Sequence, residues 1–351
     1  MIPFIDGHND VLLSLDREGG ASDFLDGRPF GHLDLARARE GSLAGGFFAV
    51  FVDPEREPLD AAGLPGRELR EPPYALPLAE PVGLEWSRQR AEMLTRLLNE
   101  LIGRSNGAVA LVENIDDLER SVAGGPLGAI LHFEGAEPIQ PDLENLVLLY
   151  EQGLRSIGIV WSRPNAFAEG VPFRFPSSPD TGPGLTDAGR QLVAACNELG
   201  IMIDLSHLNE QGFWDVARLS QAPLVASHSN AHALCAVSRN LTDAQLDEIG
   251  RSGGLVGITV HAGMLREDGR IDASTPIERV LEHVEHVAGR IGIDHVAFGS
   301  DFDGAVVIEE IGDAAGLPRL ADALRERGYA DTDVAKFAHA NWLRVLRATW
   351  R

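Results

Sequence analysis

Short apolar, β-branched runs bounded by Gly, Pro or Asp recur along the chain at 3–6, 45–52, 127–133, 155–160, 201–205, 223–227, 254–260 and 295–299. Their near-continuous apolarity is that of strands covered on both faces, not the alternation of a half-solvated sheet. Longer stretches of helical period lie between them, at 83–103, 144–153, 186–200, 209–219, 242–252 and 276–291. Thr186 is placed to cap the third of these and Gly200 to end it. Eight strands alternating with helices predict an α/β protein of the (β/α)8, or TIM, barrel type. A ninth apolar run, 108–112, exceeds that count and is assigned to an excursion between the second and third strands. Segments 53–81 and 163–183 are Pro-rich and irregular; each follows a strand, where barrel active-site loops lie, and both are read as substrate lids. With no internal repeat or linker, residues 1–351 are expected to form one barrel domain, with 317–351 as a C-terminal helical tail.

Composition narrows the function classes. At 351 residues, 44% hydrophobic and 24% charged, the chain can bury a large core. Its 30 basic and 53 acidic residues give a net charge of −23, which repels nucleic acid and anionic lipid. No apolar stretch approaches the roughly 20 residues of a membrane helix, and the N-terminus enters a strand without the basic and apolar regions of a secretory signal. Cys196 and Cys235 lie in segments with buried patterns, which argues against a disulfide framework and is compatible with a reduced cytosol. A cytoplasmic protein without nucleic-acid or membrane partners is expected.

The candidate ligands fall in register with the strands. His8 and Asp10 end the first, and alternate residues of a strand share one side. Glu134 follows the third, His207 the fifth, His228 the sixth and Asp301 the eighth. All six stand at carboxyl ends, which in a barrel converge on one mouth. Three imidazoles and three carboxylates exceed the three protein ligands of a single open Zn²⁺ site. They suit two metals with one carboxylate bridging, about 3.5–4 Å apart, able to hold a hydroxide between them and to stabilise charge on an attacked carbonyl. His261 ends the seventh strand at the same mouth. His132 is read as a partner to a ligand, and the remaining histidines as structural.

The segments Asp6-Gly7-His8-Asn9-Asp10, Glu134-Gly135, Gly184-Leu185-Thr186, Ile203-Asp204-Leu205-Ser206-His207, Ser227-His228-Ser229-Asn230-Ala231, Ser238-Arg239-Asn240, Gly299-Ser300-Asp301-Phe302-Asp303-Gly304 and Asn341-Trp342-Leu343-Arg344-Val345 together resemble the renal or membrane dipeptidase family of zinc metallopeptidases. The resemblance spans the chain and rests on the order and spacing of these motifs. It implies a barrel with a dinuclear zinc centre that hydrolyses dipeptides, and leaves open whether a C-terminal D-residue is accepted. By the same resemblance His8 and Asp10 bind one zinc, His207 and His228 the other, and Glu134 bridges them. Arg239, with its planar fork of donors, pairs with the dipeptide carboxylate. Asp301 either holds the substrate amine or moves a proton from the attacking water to the leaving amine.

One position departs from the family. Where a Thr-His pair contacts the developing oxyanion, this chain has Val160-Trp161-Ser162, and an indole donates one N–H without charge. Trp161 and His261 are therefore candidate substrate contacts. Without a secretory signal or lipid-anchor tail, the chain resembles a bacterial cytosolic member. The alternatives are another dinuclear amidohydrolase acting on a cyclic amide, lactone or modified peptide, and a repurposed non-hydrolytic metal-binding member. Such amidohydrolases open with His-x-His and often bridge their metals by a carboxylated lysine; this chain has His-x-Asp, and its sole lysine, Lys336, is far from any strand end. The expected partner is a dipeptide or dipeptide-like small molecule, with a homodimer compatible but not indicated.

Overall fold

The computed structural model describes residues 1–54 and 71–351. The eight apolar runs become parallel strands, β1 (Phe4–Asn9), β2 (Leu43–Phe51), β3 (Leu127–Glu134), β4 (Leu154–Gly158), β5 (Met202–Asp204), β6 (Val225–Ala226), β7 (Leu255–Ile258) and β8 (Val296–Phe298), each paired with the next in chain order. Beyond β8, Asn9 bridges Phe302; Asp10 N donates to the Phe302 carbonyl at 2.8 Å and Asp301 N to the His8 carbonyl at 3.1 Å. The ring of strands is thereby nearly closed. Register levels the strand ends, with Phe51 opposite Glu134, Glu134 opposite Gly158, and Gly158 opposite Asp204.

Helices cover the outside, starting where the sequence supplies caps. The side chains of Thr186, Asn209 and Thr242 accept from the backbone N–H of Gly189 (3.0 Å), Gly212 (2.8 Å) and Gln245 (3.4 Å), satisfying donors that a helix leaves unpaired. Gly200 ends the helix Asp187–Leu199 in the left-handed region, as expected. The extra run forms a short strand, Val109–Leu111, which occupies the edge of β3 at Leu127–Ala129, below the point where β4 begins to pair.

Segment 317–351 is helical, over Leu317–Glu326, Asp331–Ala335 and Asn341–Thr349, yet part of it belongs to the core. Trp342, Val345 and Leu346 pack with the barrel-interior residues Ile5, Phe47, Ile130, Met202, Val225, Leu255 and Ala297. Trp342 Nε1 donates to the Phe298 carbonyl at 2.9 Å. Arg344 reaches the carbonyls of Gly253 and Asp294, just before β7 and β8 begin, at 2.5 and 2.6 Å. The last helix therefore seals the amino end of the barrel and leaves the carboxyl end for chemistry.

Of the two irregular loops, 55–70 lies outside the described residues. The remainder of the first meets the second, with Tyr74–Ala75 pairing antiparallel to Arg174–Phe175. Cys196 and Cys235 are buried and unpaired. Among the described residues no helix is long and apolar enough to cross a membrane.

Candidate metal centre

The polar ends of the strands meet in one buried cluster. Glu134 Oε1 lies 3.0 Å from His207 Nε2, 3.7 Å from His8 Nε2 and 3.9 Å from His228 Nε2. His8 Nε2 is 3.2 Å from Asp10 Oδ2, and the Nε2 atoms of His207 and His228 are 3.1 Å apart. Among the described residues four overlapping groups, each within 4.8 Å, can be drawn: His8 with Asp10 and Glu134, Glu134 with His207 and His228, His8 with His228 and Asp301, and His8 with His132 and Asp204. One carboxylate oxygen thus stands within reach of imidazoles on both sides.

The electrostatics show a site short of positive charge. Burial works against a charged ring at His8, but the Glu134 and Asp10 carboxylates outweigh it and push its pKa up to about 10. Burial, with Asp10 beside it, lifts Glu134 well above the usual carboxylate range. Burial, reinforced by the positive charges of Arg239 and His8, drives His207 and His228 well below the ordinary imidazole range. Three imidazole nitrogens thus crowd one carboxylate oxygen with no proton donor assigned between them, an arrangement that a cation bound among them would relieve. Buried nitrogen and carboxylate donors that draw in positive charge fit divalent metal ions of the zinc type.

The far nitrogens of His207 and His228 are held in turn. Ser162 Oγ lies 3.0 Å from His207 Nδ1 and Ser227 Oγ 2.8 Å from His228 Nδ1. Asp204 accepts from Ser227 N at 2.8 Å, Ser227 Oγ at 2.5 Å and Ser206 Oγ at 2.7 Å. Hydrogen bonds of this kind fix ring orientation and turn each Nε2 inward. Sequence reasoning did not single out Asp204 or these serines; the available signal was a Ser directly before each histidine, in Ser206-His207 and Ser227-His228. His132 sits beneath His8, with its ring 5.4 Å away edge-on and Nδ1 2.9 Å from Ser156 Oγ. Burial, opposed by Asp204, pushes its pKa down to about 3.

Arg239 is buried beside the cluster. Its Nη2 donates to the His228 carbonyl at 3.3 Å, and its Nη1 has no hydrogen-bond partner among the described residues. Burial pushes its pKa down to about 10, against the pull of Asp301 and Glu134. Asp301 is half-buried and raised by burial, with His261 the first of the neighbours that oppose the shift. His261 itself is lowered by burial. Trp161 lies beside His207, with ring centroids 5.9 Å apart, and packs against Phe51 (5.1 Å) and Phe173 (5.7 Å).

Residues 1–350 match the membrane dipeptidase family, peptidase family M19. The chain belongs to that family. It is 48% identical, with a TM-score of 0.96 over 99% of both chains, to a metallo peptidase from Rhodobacter sphaeroides whose crystal structure holds a phosphinate mimic of the dipeptide L-Ala-D-Ala. An uncharacterised protein from the pqqA 5' region of Klebsiella pneumoniae is 44% identical over 272 residues, covering 78% of this chain and 98% of that protein. The dipeptidase tcpJ of Claviceps purpurea is 27% identical over 353 residues, covering 97% of this chain and 76% of that protein. The chain is thus a metallo-dipeptidase of this family, as its motifs implied.

Proposed function

We propose that the protein hydrolyses the peptide bond of dipeptides at two zinc ions, one held by His8 and Asp10, the other by His207 and His228, with Glu134 shared. The observation that carries this reading is the single Glu134 oxygen facing three imidazole nitrogens from both sides of the cluster. Bound there, the ions supply Lewis-acid polarisation of the scissile carbonyl and an attacking water of lowered pKa. The chain's own residues do the rest. Arg239 offers an unsatisfied, buried donor to the dipeptide carboxylate, where a charge-assisted pair orients the substrate. Asp301, whose pKa burial raises, takes a proton from the attacking water and returns it to the leaving amine. His261, adjacent to Asp301, donates to the developing oxyanion in place of the family histidine. Arg239 also favours a linear substrate with a free carboxylate over a cyclic amide or lactone.

The phosphinate mimic bound by the R. sphaeroides relative supports a substrate range that includes a C-terminal D-residue. A screen of dipeptides carrying L- or D-residues at either end tests the reading, with zinc-dependent cleavage of L-Ala-D-Ala expected; a panel left uncleaved by the zinc-loaded protein contradicts it. Trp161 is proposed as a substrate-facing wall in this screen. Trp161→Ala is expected to raise kcat/KM for bulky side chains relative to alanine by at least about 10–200-fold, the range that a single methylene of pocket space commands, without changing metal content. An unchanged preference would leave Trp161 with packing alone.

A further inference from the structure

Asp301 stands in a turn whose backbone departs twice from the ordinary. Asp301 and Asp303 both adopt φ of 65°, a left-handed conformation that a non-glycine residue holds when its surroundings over-determine it. The supports come from two sides. On the inner side Asp301 N donates to the His8 carbonyl at 3.1 Å, Asp10 N to the Phe302 carbonyl at 2.8 Å, and Ser300 Oγ to Asp6 Oδ2 at 2.8 Å. These bonds tie the turn to the strand end that carries His8 and Asp10. On the outer side the Asp303 carboxylate accepts from the Arg28 guanidinium and, at 2.7 Å, from His32 N, while Asp303 N donates to His32 Nδ1 at 2.9 Å.

The outer support is a buried ion pair. The side chains of Arg28 and Asp303 are 0% and 1% exposed. Arg28 is itself anchored, donating to Ser14 Oγ at 2.8 Å and receiving Arg37 Nη2 on its carbonyl at 2.6 Å. Two glycines show how little room remains. A Cβ on Gly31 would overlap Arg28 and Asp303, and one on Gly304 would overlap the carboxylates of both Asp10 and Asp301. The ion pair, the turn and the two carboxylates are thus in contact from one end to the other. Such a pair contributes little to stability against well-packed apolar side chains, whereas a misplacement of about 1 Å near a reacting centre costs about 10²-fold in rate.

We propose that the Arg28–Asp303 pair is a positioning device that sets the Asp301 carboxylate against Asp10 and the metal centre. The inference rests on the reading of Asp301 as the proton-carrying group. Arg28 touches no substrate; it acts through the turn.

The test measures kcat, KM and bound metal for Arg28→Met and Arg28→Lys, each in the native and the Asp301→Ala background. Arg28→Met is expected to lower kcat/KM by about 10²-fold at unchanged metal content, with Arg28→Lys recovering most of the loss. In the Asp301→Ala background Arg28→Met is expected to add nothing beyond about twofold, because the group it positions is gone. A loss of equal size in both backgrounds, or no loss in the native one, overturns the proposal. If Arg28→Met does not fold, the pair Arg28→Met with Asp303→Asn, which buries no unpaired charge, is judged by the same criteria. If Asp301→Ala is too slow to assay, the crystal structure of the Arg28→Met or paired variant decides: an Asp301 carboxylate displaced by about 1 Å supports the clamp, and an unmoved one overturns it. Full activity in Asp301→Ala alone is a distinct outcome, which removes the role of Asp301 and the clamp with it.

Discussion

The variant carrying His207→Ala and His228→Ala is expected to bind about one metal ion per chain and to lose dipeptide hydrolysis, while the native protein binds two. The expectation follows from how the donors divide. His8 and Asp10 come from the end of β1 and are 3.2 Å apart, and with Glu134 they keep a three-donor site after the histidines are removed, enough for one ion with an open position. Among the described residues Glu134 is the carboxylate grouped with both His207 and His228, which are 3.1 Å apart, so loss of the two histidines is expected to empty one side. Removing a preorganised electrophile of this kind costs at least about 10²–10³ in turnover. Metal content measured on the purified variant checks it, and two bound ions there would count against the division of ligands.

Arg239→Met is expected to lower kcat/KM for dipeptides strongly and leave dipeptide amides where they were. The native guanidinium is buried, has an Nη1 without a hydrogen-bond partner among the described residues and lies close enough to Asp301 and Glu134 for both to resist the fall in its pKa. In the proposed reading a substrate carboxylate completes this pairing. Truncating one member of a buried charged pair costs about 2–5 kcal/mol, or about 30- to 5000-fold. An amide substrate never gains this interaction, so it should be a poor substrate of the native protein and insensitive to the substitution. Equal rates for acid and amide in the native protein would assign Arg239 to structure instead.

What the sequence made legible follows from which features are local. Buried parallel strands are continuous apolar runs, so all eight could be read, and the candidate ligands stood out because each falls at the end of such a run. The strand ends were less legible: β1 continues through His8 to Asn9 and β3 through Glu134, because buried polar residues keep the backbone ladder going after the apolar pattern stops. The helices Val11–Glu18, Ala21–Asp26 and Leu35–Glu40 between β1 and β2 are six to eight residues long and broken by Gly19, Gly20 and Gly27, too short to show a helical period. Trp342 gave no sign that it would close the barrel, since its partners Phe47 and Phe298 are distant in sequence. The same holds for Arg28 and Asp303: an ion pair between segments so far apart leaves no local pattern. Trp161 was legible as a departure, and its place against Phe51, Phe173 and His207 required the fold.

Activity followed while the metal-stripped protein is titrated with zinc probes the shared Glu134 centre most directly. Hydrolysis of a simple dipeptide is expected to stay near zero through most of the first equivalent, to rise with the second and to level off at two per chain, with Glu134→Ala failing to rise at all. Full activity at one equivalent, or hydrolysis that persists without metal, would contradict a centre in which Glu134 joins His8 and Asp10 to His207 and His228.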